Sequence, residues 1–133
     1  MTKPGKKILV GGQALRELGS DRYTEDLDYL IYDTSVNSDF LTSDDIDYIN
    51  CAHRKFFQEI WASVEVDENG VADPQSLFDL KFFAAVQHFQ NFNMAKAAAA
   101  EYDLKFLSRN FGCKPKIISR HVAKGELNSV EWQ

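Results

Sequence analysis

A chain of 133 residues, 44% hydrophobic and 13% aromatic, has apolar surface for one core and not for two, which excludes a disordered chain and predicts a single domain over 1–133. Its net charge of −5 is unevenly spread. Between Asp21 and Asp47 nine Asp or Glu residues face the lone Arg22, whereas every charged residue from Lys105 to Lys124 is basic, so the first half suits cations and the later stretch suits phosphates.

In chain order, residues 6–10 (Lys-Lys-Ile-Leu-Val) read as a short buried strand. Gly11-Gly12 reads as a turn without side chains, and 13–18 as a helix stopped by Gly19. Backbone amides at such a turn favour an anion. The apolar run 27–32 opens on Asp26-Leu27-Asp28, and in a strand these two carboxylates leave from one face. Like charges so placed repel unless a divalent cation lies between them, and hard oxygen ligands select Mg²⁺ or Mn²⁺.

Residues 33–45, rich in Ser, Thr and Asp, read as a loop, and Ile46-Asp47-Tyr48-Ile49 alternates as a strand. A helix over 53–62 carries Phe56, Phe57, Ile60 and Trp61 on one face. Val64-Glu65-Val66-Asp67 reads as a strand running into a turn at Gly70. Ser76 then caps a helix over 77–91, with Leu77, Leu80, Phe83, Ala84 and Phe89 as its packed face and Lys81 within it. Met94 to Phe111, with four consecutive alanines and Gly112 as its stop, is the strongest helix. Pro115 opens a last short helix ended by Gly125, and 126–133 is expected to fray. These elements predict an α+β fold, sheet-rich over 1–75 and helical over 76–125.

The string Val10-Gly11-Gly12, thirteen residues, then Asp26-Leu27-Asp28-Tyr29 resembles the signature of the polymerase-beta-type nucleotidyltransferase superfamily. With Gln13-Ala14-Leu15, Gly19, Arg22, Thr24 and Glu25 it looks most like the small toxin-type and abortive-infection branch. The resemblance implies a small mixed sheet, strand-helix-strand-strand, packed against C-terminal helices. It also implies transfer of a nucleoside monophosphate from a nucleoside triphosphate to a hydroxyl, on RNA such as a tRNA 3′ end or on a protein side chain, in a toxin or phage-defence setting. Asp26 and Asp28 would hold Mg²⁺ or Mn²⁺ with a third carboxylate from a neighbouring strand, for which Asp47 is the candidate and Glu65 or Asp67 the runner-up. Gly11, Gly12, Arg22, Thr24 and Lys81 would contact the nucleotide, Lys81 by analogy with a lysine that approaches the triphosphate. Lys96 and the Asp103-x-x-x-Leu107 pattern resemble the family's closing helix, where Asp103 would order Lys81 or Arg22, or pair on the helix surface with Lys96 or Lys105.

Larger members add a helical domain, so a homodimer or partner protein would complete so short a chain. A competing reading is a non-catalytic nucleotide-binding or protein-interaction module with the same fold.

Other chemistries find no footing. Cys51 and Cys113 lack metal spacing and read as buried reduced thiols, and His53, His88 and His121 lack the spacing of a zinc site. No run of eighteen apolar residues and no apolar stretch after Lys3, Lys6 and Lys7 points to a membrane or to secretion, so the expected setting is cytoplasmic. The ordinary reading of the basic run is a solvated helix face that balances the acidic half.

Overall fold

The computed structural model describes residues 6–133 and divides the chain into two compact units, one ending at Asp73 and one running from Pro74 to Gln133.

The first unit is a small open mixed sheet with helices. Strand β1 (Ile8–Val10) leads directly into α1 (Gly11–Glu17), followed by β2 (Leu27–Ile31), β3 (Phe40–Ser43), β4 (Ile46–Asn50) and α2 (Lys55–Ser63). The sheet order is β1-β2-β4-β3, antiparallel at both edges and parallel between β2 and β4. Opposed residues share a face, so Ile8 and Val10 of β1 lie with Leu30 and Asp28 of β2. Ile8, Val10 and Leu30 are almost fully buried, as are Ala14 and Leu15 of α1, which packs on β1 and β2. The outer edge of β1 is closed by Gly70 and Ala72, whose carbonyl and amide bond Leu9.

Four expectations for this unit change. The helix starts at Gly11 itself, not after a two-glycine turn, because Gly11 takes a left-handed φ of +70° that turns the strand straight into the helix. The supposed loop 33–45 contains β3, which pairs with β4 through the two-residue turn Asp44-Asp45. Both aspartates are left-handed, at φ 54° and 62°, as this kind of hairpin turn requires. Val64–Asp67 makes no strand beyond isolated bridges, since Asp67 spends its carboxylate on the turn, accepting from the amides of Asn69 and Val71. The acidic stretch is also more tightly held than a loop. Fully buried Asn50 donates to the carbonyls of Asp33 and Val36 and accepts from the amides of Asp33 and Ala52.

In the second unit, α3 (Pro74–Gln90) and α4 (Met94–Phe111) form a helical hairpin, with a 3₁₀ turn (Ile118–Arg120) and α5 (Lys124–Ser129) after it. Ser76 is not a cap but a buried residue inside α3, which opens on Pro74, where the missing amide costs nothing. The buried apolar positions of α3 are Leu77 and Leu80, as expected, with Phe78, Phe82, Ala85 and Val86 in place of Phe83, Ala84 and Phe89. Ala97 and Ala100 face inward on α4, and Gly112 ends it in the left-handed conformation, as expected. The last helix is displaced: 118–120 is one 3₁₀ turn, and α5 contains Gly125 instead of stopping there. The C-terminal tail is docked. Val130 is 4% exposed, the Trp132 ring stands edge-on to Phe78 at 5.7 Å, and the Glu131 amide donates to Glu101.

Both cysteines are buried and unpaired with each other, as read from the sequence. Burial, then the negative charge of Asp39, pushes the Cys51 thiol up to about 12. At pH 8 it therefore stays protonated and unreactive. Iodoacetamide followed by peptide mapping is expected to leave Cys51 unmodified in native protein and to label it fully in denaturant.

Candidate functional site

The parallel ladder between β2 and β4 sets Asp28 directly beside Asp47, and equivalent positions on neighbouring parallel strands point to the same face. Alternation along each strand sets which face its aspartate takes, and the register brings the two together. The Thr42 hydroxyl, one strand further out and opposite Asp47, donates to its Oδ1 at 2.7 Å and fixes that carboxylate. Asp47 is exposed and Asp28 half-buried.

Gly11 closes on Asp28 from the other side. A Cβ on Gly11 would lie 2.4 Å from Asp28 Oδ2, so only a glycine lets the backbone come this near the carboxylate. A Cβ on Gly12 would lie 2.4 Å from Thr24 Cγ2 and 3.3 Å from Arg22 Nη2. The segment before β2 is thus laid against the glycines, fastened by Gln13, which donates to the Thr24 carbonyl at 2.7 Å, and by Arg16, which donates to the Arg22 carbonyl at 3.1 Å. Five of the expected residues, Gly11, Gly12, Arg22, Thr24 and Asp28, are brought together here, and Asp47 joins them through Asp28.

Asp26 stands one residue before β2, with its amide held by the Thr24 hydroxyl. Among the described residues no three His, Cys, Asp or Glu side chains form a group that holds a metal ion. Asp28 and Asp47 do suit Mg²⁺ in another way: two hard carboxylates, side by side, are the usual protein share of a site whose other ligands are phosphate oxygens and water. Glu65 and Asp67 lie outside the strands, Asp67 in the turn described above.

Lys81 belongs to the second unit. Its Nζ is 3.2 Å from Asp103 Oδ2, with the lysine side chain 18% exposed and the aspartate buried, so Asp103 orders Lys81 rather than pairing on the surface with Lys96 or Lys105. Burial, then the charges of Lys96 and Lys81, lowers the pKa of His88 nearby.

Sequence reasoning missed Thr42, Gln13 and Arg16. Thr42 was hidden because four residues of edge strand carry too little pattern to rise above a polar surrounding. The other two act on backbone carbonyls, for which residue type gives no signal.

Comparison with known proteins found no matching family model, no matching curated protein and no matching solved structure. No helix among the described residues is long and apolar enough to cross a membrane.

Proposed function

We propose that this chain is a cytoplasmic, Mg²⁺-dependent nucleotidyltransferase that moves a nucleoside monophosphate from a nucleoside triphosphate to an acceptor hydroxyl. The observation that carries the reading is the alignment of Asp28 with Asp47 on adjacent parallel strands, beside a glycine at which any Cβ would collide with Asp28. Two carboxylates side by side on one face of a sheet repel each other, and a divalent cation bound by both would offset that repulsion. When bound, Mg²⁺ supplies charge neutralisation for the triphosphate and lowers the cost of the negative charge that develops on it.

Asp28 and Asp47 would hold that charge in place. The amides of Gly11 and Gly12 and the Arg22 guanidinium meet phosphate oxygens, while Thr24 fixes the approach to β2. The acceptor oxygen bonds to the α-phosphorus, its proton passes to Asp47, the bond from that phosphorus to the α–β bridging oxygen breaks, and pyrophosphate leaves.

The test is transfer of label from each α-³²P nucleoside triphosphate to total RNA, and separately to total protein, with Mg²⁺ or Mn²⁺. Label is expected on one acceptor and is expected to vanish in Asp28→Asn and Asp47→Asn. Triphosphate that binds without any labelled product would instead make the chain a non-catalytic nucleotide-binding module.

A further inference from the structure

The charge of this molecule is divided between its units. Residues 6–73 carry 15 carboxylates against 6 Lys or Arg, and residues 74–133 carry 5 against 8. Most of the positive charge lies between Asp103 and Glu126, a stretch without a carboxylate.

Its backbone is held rigidly from inside. Fully buried Asp79 of α3 accepts from the amides of Lys116, Ile117 and Ile118, at 3.0, 3.2 and 3.3 Å, and Gln75 donates to the Lys114 carbonyl at 2.8 Å. Cys113, Ile117 and Ile118 are buried, so what this pinned segment turns outward is Lys114, Lys116 and Arg120, all exposed, with exposed Arg109 just before it in the last turn of α4. Among the described residues Arg109, Lys114 and Lys116 form no ion pair.

An aromatic ring stands among these cations. Phe111 is 44% exposed between Arg109 and Lys114, and Phe106 holds its ring edge-on at 6.0 Å. Cations alone on a helix end are commonly no more than a solvated face. Cations on a fixed backbone around a held, open phenyl ring are the two parts of a single-strand site, phosphate contacts and a surface on which a base stacks.

We infer that Arg109, Phe111, Lys114, Lys116 and Arg120 form a binding surface for single-stranded nucleic acid. The strand's phosphates meet the basic side chains and one base stacks on Phe111. Naming this strand as the acceptor rests on the transfer reading above, whereas binding itself does not.

Fluorescence anisotropy with a short labelled single-stranded RNA of mixed sequence, from about 50 to 200 mM salt, tests it. The triple variant Arg109→Ala, Lys114→Ala, Lys116→Ala removes only exposed charge. It is expected to flatten the log–log salt slope by about 2, three contacts at roughly 0.7 each. Phe111→Ala is expected to weaken binding about tenfold with the slope unchanged. Asp28→Asn is expected to bind as the wild type does, so loss of transfer and loss of binding report on separate claims. Wild-type protein that fails to bind, or a triple variant or Phe111→Ala that binds with wild-type affinity and slope while circular dichroism shows it folded, overturns the assignment.

Discussion

Gly11→Ala is expected to destabilise the protein by about 2–4 kcal/mol and to abolish transfer. Two costs add at this position. The left-handed backbone at φ +70° is open to glycine and strained for any residue with a Cβ. The new methyl would also lie 2.4 Å from Asp28 Oδ2 and 3.1 Å from its Cγ, well inside contact distance. Backbone and carboxylate must then separate, and the carboxylate that moves is the one aligned with Asp47. Gly19→Ala supplies the control: its φ is +104° and nothing lies within 4 Å of its Cβ position, so it carries strain without collision. Urea unfolding of both variants, together with the label-transfer assay, separates the terms. If Gly11→Ala loses no more stability than Gly19→Ala and keeps transfer, the contact with Asp28 is not a constraint on the site.

Asp79→Ala is expected to cost at least ~3 kcal/mol, one of the largest losses available to a single side chain here. The carboxylate serves three backbone amides of 116–118 from a fully buried position, and its removal leaves them without an acceptor away from water. Asp79→Asn keeps the shape and one acceptor oxygen, and is expected to lose about half as much. The loss should be local before it is global. Native-state hydrogen exchange should show the amides of Lys116, Ile117 and Ile118 exchanging far faster in Asp79→Ala than in the wild type, while those in the middle of α4 change only by the overall drop in stability. Equal acceleration across both places would mean that Asp79 supports the whole unit and not this segment.

The signs that were readable in the chain are those with a period or a special residue behind them. Alternation through Asp26-Leu27-Asp28-Tyr29 and Ile46-Asp47-Tyr48-Ile49 marks β2 and β4, and Gly112 after a run of alanines marks the end of α4. Apolar content without a period misleads: α3 has large side chains on nearly every side, so spacing does not select a face, and the buried one runs through Phe78, Phe82 and Val86. Effects that depend on distant partners stay hidden. Nothing adjacent to Asp79 shows that it will bind amides some forty residues away, and nothing in the tail shows that Trp132 will find Phe78. Of the site, the glycines and both carboxylates could be read because they sit on regular elements next to the turn. What could not be read are the register between β2 and β4 and the edge strand β3 that the composition of 33–45 conceals.

That register ties the site to the shortest connection in the sheet. Asp28 and Asp47 lie on parallel neighbours, but the chain between them first visits the outer strand and returns through Asp44 and Asp45, both left-handed. Because side chains alternate with a period of two, one residue added to or lost from this turn that shifts β4 by a single position carries Asp47 to the opposite face. The span 32–39 is fastened to the end of β4 separately, by Asn50 at Asp33 and Val36. The count of residues between β3 and β4 is thus the one on which the facing of Asp47 rests. The hairpin turn, which touches neither carboxylate's role, is the gauge that keeps the two of them together.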